Sequence, residues 1–576
     1  MFGINDLFAR ASDSDKCICK NKRPLLVLLA SFLLVVTVIG VIARVTTHKN
    51  SSSDNGSLAH AILKSSCRST LYPDLCYSAI ATVPGAMDNL STQKDIIEMS
   101  LNITTTAVEH NYFTIEKIIG SKNLTKREKT ALHDCLEMVD ETLDELHKTA
   151  DDLKDYPSSK KSIFQHADDL KILVSAAMTN QESCIDGFSH DNADKDVRKK
   201  LLAGQEHVYR MCSNALAMIK NMTDTDMAQE QYKAKRRVEE SSEEFPAWLS
   251  WGDRKLLQAS MLVPDVTVAA DGSGHYTTVS EAVAAAPEKS HKRYIIRIKA
   301  GVYRENVNVP KKKTNIMMVG DGRINTIITG RRSVVDGSTT FRSASVAAVG
   351  EGFLARDITF QNTAGPSKDQ AVALRVGSDK SAFYRCNIIA YQDTLYVHSL
   401  RQFYVDSLIV GTVDFIFGNA AAIFQNCDIH ARRPNRGQKN MVTAQGRDDP
   451  NQNTGIIIQK CRIGATSDLK PVKRSFPTYL GRPWKEYSRT VIMQSFITDV
   501  IHPEGWHAWN GNFALNTLYY GEYRNTGAGA ATAKRVKWKG YKVITSATVA
   551  QQFTVKNFIL GDHWLGSTGF PFSAGL

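Results

Sequence analysis

The sequence predicts an all-β stacked coil, a parallel β-helix, in its C-terminal half, preceded by an all-α, four-helix-bundle-type region and a single apolar N-terminal helix. Three patterns carry this. From Val266 onward the chain breaks into many short β-rich runs, among them Tyr294–Lys299, Phe383–Ile389, Phe403–Val410 and Thr454–Gln459, separated by Gly, Asn and Asp. Between 58 and 222 the apolar residues recur in alternating steps of three and four. Leu25–Ala43 is an uncharged run of 19 residues, near the length that spans a bilayer.

In chain order, residues 1–24 form a basic tail whose Lys20, Lys22 and Arg23 lie just before the apolar run, so the positive-inside bias leaves the tail in the cytosol. Residues 25–43 read as a transmembrane signal anchor rather than a cleaved signal, whose apolar core is shorter and starts nearer the N-terminus. Either reading sends the remainder into the secretory lumen. Five Asn-x-Ser/Thr sequons, at Asn55, Asn89, Asn102, Asn123 and Asn221, agree with that topology as glycosylation sites, and none follows residue 223.

Within 58–222, Leu132, Leu136, Val139, Leu143, Leu146, Ala150 and Leu153 line one face of a long amphipathic helix. Similar stripes in 91–120, 160–190 and 195–220 complete a bundle. In an oxidising compartment Cys67, Cys76, Cys135 and Cys184 read as two disulfides with Cys212 left over; zinc is disfavoured, since paired short spacings and neighbouring His are lacking. Residues 223–263 lose the periodicity and gather charge, which reads as a linker. Its basic clusters, Arg254-Lys255-Leu256-Leu257 first and Lys235-Arg236-Arg237 second, are candidate sites for a processing protease of the secretory pathway.

Many short strands from 264 to 576 build a sandwich, a propeller or a β-helix; the irregular loops and a repeated step of 22 residues favour the coil. That step separates Gln370, Gln392 and Asp414, with Asp393 beside the middle one. Residues one coil apart lie side by side at a strand spacing of about 4.8 Å, which draws two amides and two carboxylates into one groove. Charge divides in the same way. Residues 258–576 hold 39 Lys+Arg against 23 Asp+Glu, a net of +16, whereas 51–257 hold 25 against 33, a net of −8. A basic extracytoplasmic half suits an acidic polysaccharide, and topology disfavours nucleic acid. Two neighbouring carboxylates do not both ionise cheaply, so one serves as acid and the other as base or nucleophile. Arg482, in Gly481-Arg482-Pro483-Trp484, is placed to hold the second ionised, and glutamine amides suit an oxyanion. With no Gly-x-Ser-x-Gly elbow, acyl transfer here requires a carboxylate.

Gly301–Glu305, Gln370–Arg375, Tyr391–Tyr396, Asp414–Asn419 and Leu480–Trp484 resemble, in order and spacing, the five signature segments of plant pectin methylesterases. The helical half, with its four cysteines and Cys184–Phe188, resembles the pectin methylesterase inhibitor domain found as a pro-region in many of these enzymes. The resemblance implies a right-handed parallel β-helix that hydrolyses the C6 methyl esters of galacturonate in homogalacturonan, and needs no metal or organic cofactor. It makes Asp414 the nucleophile and Asp393 the acid and then base, with Gln392 and Gln370 on the oxyanion and Arg482 orienting Asp414. Trp484, Tyr396 and Phe417 then line sugar subsites and Thr340 contacts substrate, although Tyr396 and Phe417 also fit as core aromatics and Arg482 as a structural ion pair. The pro-region is expected to restrain the enzyme until it is cut, and the mature enzyme to reach the cell wall.

One position departs from the family pattern. Ser407 stands where many relatives carry a cysteine, so a disulfide to Cys427 is impossible and Cys386, Cys427 and Cys461 are left of undetermined state. Two rival functions are weaker. A pectate lyase on the same fold wants a Ca²⁺-binding carboxylate cluster, and an inverting glycosidase wants carboxyls about 6.5–9.5 Å apart. A wall-binding protein without catalysis needs neither aspartate.

Overall fold

The computed structural model describes residues 52–121, 123–158, 160–188, 195–238 and 263–576. The basic tail, the apolar run Leu25–Ala43 and Arg254–Leu257 lie outside the described residues, as do the side chains of Asn55 and Asn89. No helix among the described residues is long and apolar enough to cross a membrane. Residues Ile62–Leu576 form one compact unit.

Four long helices make the N-terminal part of that unit: α1 (Gln93–Ile119), α2 (Lys126–Lys154), α3 (Ile163–Asp186) and α4 (Lys195–Val238). Each packs on the next and α4 closes back on α1, a four-helix bundle. Helices α1, α2 and α3 start at capping boxes, Thr92/Asp95, Thr125/Glu128 and Ser162/Gln165, in which hydroxyl and N3 side chain satisfy each other's free backbone N–H. The α2 stripe is only half as expected. Leu132, Val139, Leu146 and Leu153 are buried, but Leu136, Leu143 and Ala150 are half-buried, while Asp134, Glu141 and Glu145 are buried. The helix has two covered faces, one apolar in the bundle and one carrying carboxylates. Helix α4 also runs to Val238, well into the stretch expected as a linker. Residues 223–238 contain neither Gly nor Pro and repeat the good helix formers Ala, Gln, Lys and Arg, so helix propensity carries the element after its apolar stripe has ended. Ion pairing of Asp224 with Lys171 and the 2.6 Å hydrogen bond from Tyr156 Oη to Asp226 fasten that extension to the bundle.

From Val266 the chain forms a parallel β-helix. Among the described residues its strands align in three sheets of eleven, eight and seven strands, and every strand pairing is parallel. Four successive coils bend from the first sheet to the second at one residue in the left-handed region, Arg385, Asp406, Asn426 and Lys460. Inside, like stacks on like: the rings of Phe383, Tyr404 and Phe424 lie one above another at 4.8 and 4.6 Å. At the next corner Cys386, Ser407, Cys427 and Cys461 form a buried column. The hydroxyl of Ser407 accepts the Cys386 N–H at 3.1 Å and the three cysteines are free thiols.

Among the described residues the disulfides are Cys67–Cys76 and Cys135–Cys184, and Cys212 is a buried free thiol. The side chains of Asn102, Asn123 and Asn221 are exposed.

Candidate active site

The third sheet contains β1 (Leu374–Val376), β2 (Leu395–Val397), β3 (Ile416–Gly418), β4 (Asn440–Gln445) and β5 (Thr478–Gly481), adjacent in that order. Its register lines up Arg375, Tyr396, Phe417 and Ala444 on one face. Asp393 and Asp414 stand just before β2 and β3, at φ of 59° and 49°. This left-handed backbone costs an Asp about 1 kcal/mol or more, and such strain gathers where a side chain must be aimed.

The coil step is not uniform. Leu374, Leu395 and Ile416 are partners at steps of 21, and the bond from Asp393 N–H to Val413 O at 3.0 Å extends that register, stacking Asp393 on Asp414. One coil earlier, Ala371 N–H reaches Gln392 O, which sets Gln370 beside Gln392 at a step of 22. The expected row of Gln370, Gln392 and Asp414 therefore resolves into two pairs, amide beside amide and carboxylate beside carboxylate, offset by one residue.

Arg482, just past β5, grips one carboxylate. Its Nε donates to Asp414 Oδ1 at 2.8 Å and its Nη2 to Oδ2 at 2.6 Å, a bidentate pair. Its guanidinium lies 4.2 Å above the Trp509 ring. Burial raises both aspartates above the usual carboxylate range. For Asp414 the Arg482 charge opposes burial, whereas for Asp393 the charge of Asp414 adds to it and drives the group well above. The two are treated unequally: a proton is favoured more strongly on Asp393, which lacks a hydrogen-bonded cation, than on Asp414, which Arg482 clamps.

Around them Gln370, Gln392, Thr340, Tyr396, Phe417 and Trp484 line one cavity of about 820 Å³. Tyr396 and Phe417 stack at 4.3 Å with Trp484 edge-on to Phe417 at 6.0 Å, a continuous aromatic platform beside the carboxylates. Gly446 leaves space for the indole, since a Cβ there would stand 2.9 Å from it.

The far wall of that cavity is the helical bundle. Ser183 Oγ lies 3.2 Å from Tyr396 Oη and 3.0 Å from His398 Nε2, whose burial lowers its pKa to about 3. Glu182 and Asp186 pair with Lys485, Asp140 with Lys311, and Asp168 and Asp169 with Arg401. Asp134 accepts from Arg342 Nε at 2.7 Å and from Thr339. The Cys135–Cys184 bridge adjoins Asp134 and Ser183 and so fixes α2 to α3 at the point where both meet the groove.

Comparison with known proteins matches this geometry to a family. The Pectinesterase family model covers residues 265–562, and the Plant invertase/pectin methylesterase inhibitor model covers 61–218. Pectinesterase 1 of Citrus sinensis is 68% identical over the full length of both chains. The chain belongs to the pectinesterase family. Pectinesterase/pectinesterase inhibitor U1 of Solanum lycopersicum is 66% identical, again with both chains covered completely. Among solved structures, pectin methylesterase from carrot is 75% identical and superposes with a TM-score of 0.55, covering 55% of this chain and 100% of its own.

For a pectinesterase, sequence reasoning overlooked Trp509 beneath Arg482 and the Arg342–Phe341 turn at the groove edge. Trp509 lies in a loop outside the five segments, and nothing in the spacing of Trp506 and Trp509 between Gly505 and Gly511 marks the second of them for the site. Arg375 was in view within Gln370–Arg375 but had no assigned role.

Proposed function

We propose that this pectinesterase removes the C6 methyl esters of homogalacturonan through a covalent intermediate on Asp414. The observation that carries the proposal is the unequal treatment of two stacked carboxylates, one clamped by Arg482 and the other left to burial and its neighbour's charge. Asp414, ionised and oriented, attacks the ester carbonyl. The amide N–H groups of Gln392 and Gln370 are the donors within the cavity for the oxyanion that develops. Asp393 gives its proton to the departing methoxide, which leaves as methanol, and an acyl anhydride remains on Asp414. Asp393, now a base, takes a proton from water. The hydroxide opens the anhydride, regenerates the Asp414 carboxylate and frees a galacturonic acid that ionises in solution. Tyr396, Phe417 and Trp484 supply apolar faces for sugar rings, and Thr340 a polar contact at the rim.

The helical half, residues 58–222, acts as an inhibitor-like pro-domain on the catalytic half, residues 264–576. Its seat across the cavity supports restraint of the uncut chain, with release by cleavage at Arg254–Leu257. The apolar run 25–43 then anchors the precursor in the secretory membrane, and the freed enzyme acts in the cell wall.

The test is methanol release from highly methylated pectin by the 263–576 segment and by its Asp414→Asn and Asp393→Asn variants. Each variant is expected to lose about a thousandfold or more in kcat with its fold intact. Near-normal turnover by a folded Asp414→Asn variant overturns the covalent route.

A further inference from the structure

Beside the groove, next to its lining residues Phe341 and Tyr396, lies a second carboxylate-binding arrangement, away from the reacting pair. Arg342, on the turn Phe341–Ser343, and Arg375, on β1, converge on a single carboxylate: Glu137 Oε2 accepts from Arg342 Nη2 at 2.9 Å, and Glu137 Oε1 accepts from Arg375 Nη2 at 3.1 Å. Both guanidiniums come from the catalytic half and the carboxylate comes from α2. Arg375 is 2% exposed and lies 3.3 Å over the Phe341 ring, and its Nε and Nη1 have no hydrogen-bond partner. A buried cation with spare donors is expensive for a fold to keep. Within the described contacts the anion that meets it belongs to the pro-domain, so the β-helix alone presents an unmatched pair of forks beside its groove.

Position tells what those forks meet once the helices leave. Arg375 is the register partner of Tyr396, one strand spacing from the aromatic platform and on the same face. A polymer lying along that face carries one carboxyl group per sugar, either a neutral methyl ester or a free carboxylate. Only the free carboxylate offers two anionic oxygens to opposed guanidiniums, and arginine forks favour that geometry. We propose that Arg342 and Arg375 form a subsite for an un-esterified galacturonate, and that Glu137 occupies it in the uncut chain as a stand-in for the polymer's own carboxylate. The inference rests on the pectinesterase reading of the groove.

The 263–576 segment is the right material, because the carrot enzyme of matching extent folds without a helical half. Binding of methyl-free tetragalacturonate is measured by calorimetry, alongside kcat and KM on pectins of high and intermediate esterification. Two variants are used: Arg342→Gln, at a side chain one-third exposed, and Arg375→Lys, which retains the charge and loses the fork. Each is expected to weaken tetragalacturonate binding about tenfold or more and to raise KM more on part-esterified than on highly esterified pectin, with kcat changed alike on both. Equal tetragalacturonate affinity in wild type and both variants overturns the subsite and leaves the two arginines as anchors for the pro-domain alone. Failure of the wild-type segment to release methanol counts against the proposed function instead, and the binding comparison still decides the subsite.

Discussion

The helical half is held by covalent links and capped helix ends, whereas the β-half is held by repetition. The bundle relies on two disulfides and three capping boxes. The β-helix has no disulfide among the described residues and stacks ring on ring and strand on strand around a continuous apolar core. Each half therefore buries its own interior. The surface between them adds some apolar contact, with Ile172 and Ala176 of α3 packed beside Leu400, but its character is ionic: carboxylates on α2 and α3 face Arg342, Arg375, Arg401, Lys311 and Lys485. Only Lys148 with Glu351 reverses the polarity among the described pairs. An interface of that kind covers little apolar surface on either part and resembles the more polar contacts between domains.

The comparison breaks most severely at Arg401, which both halves share. Its Nε and Nη2 hold Asp379 of the preceding coil, and its Nη1 reaches Asp168 at 2.9 Å and Asp169 at 2.6 Å. Although burial opposes it, the Arg401 charge keeps Asp379 well below the usual carboxylate range. Arg401→Met takes the guanidinium from three carboxylates in the full chain, leaving Asp169 its Lys161 pair and Asp168 its Asn453 hydrogen bond, at an expected cost of about 3–5 kcal/mol. In the 263–576 segment it strands only Asp379, which water then reaches. Denaturant unfolding of both forms should show the larger loss in the full chain. Equal losses mean that Arg401 serves the β-half alone.

The two halves also differed in how much of them could be read beforehand. Repeating β-rich runs and the five segments were enough for the coil and its reacting residues, because a β-helix writes its period into the sequence and Asp393, Asp414 and Arg482 each fall within a short distinctive string. The one-residue offset between the glutamine and aspartate pairs was not legible, since it depends on how the chain slips before β2. The second face of α2 was missed for a different reason. Asp134, Glu141 and Glu145 look like solvated charge on an amphipathic helix, and only the folded chain shows them covered: Asp134 meets Arg342 and Thr339, Glu141 faces Lys311 and Arg401 across a cavity, and Glu145 accepts from Asn180 of α3. For the same reason Arg375 stayed silent: its partner is more than two hundred residues away on another fold.

A smaller effect is expected from opening the Cys135–Cys184 bridge. Cys135→Ser frees a loop of 49 residues and unpins the ends of α2 and α3 that carry Asp134 and Ser183. A loss of about 2–4 kcal/mol is expected in the helical transition, with the β-half transition unmoved in calorimetry. Methanol release by the uncut chain should rise as well, because the residues that seat on the groove lose their mutual alignment. A β-half transition that falls by the same amount shows that the two halves unfold as one, and the contrast in how they are held is then lost.

The smallest effect is a pH dependence confined to the uncut chain. Glu141 lines an interdomain cavity with Lys311 and Arg401 of the β-half and with Asp144, Glu145 and Lys148 of its own helix. Burial first, with Glu137 and Asp140 adding to it against Arg375 and Lys311, raises its pKa from 4.5 to about 8. Burial and then the Glu141 charge raise Glu145 further still. A carboxyl whose pKa is higher in the seated state binds its proton more tightly there, so its contribution to seating is complete below about pH 4.5 and is lost as pH rises toward 8. Asp169 acts in the opposite sense: despite burial, Arg401 lowers its pKa, so its contribution is lost only at pH below the usual carboxylate range. Between pH 5 and 8 the Glu141 direction governs, and the helices loosen as pH rises. Residual methanol release by the uncut chain should therefore climb relative to the 263–576 segment by about tenfold across that window, each tenfold being about 1.4 kcal/mol. Glu141→Gln keeps the shape without the titration, and should flatten that ratio while leaving the segment's own profile as it was. Parallel profiles for the uncut chain and the segment would show that Glu141 is buried by its bundle alone and takes no part in holding the two halves together.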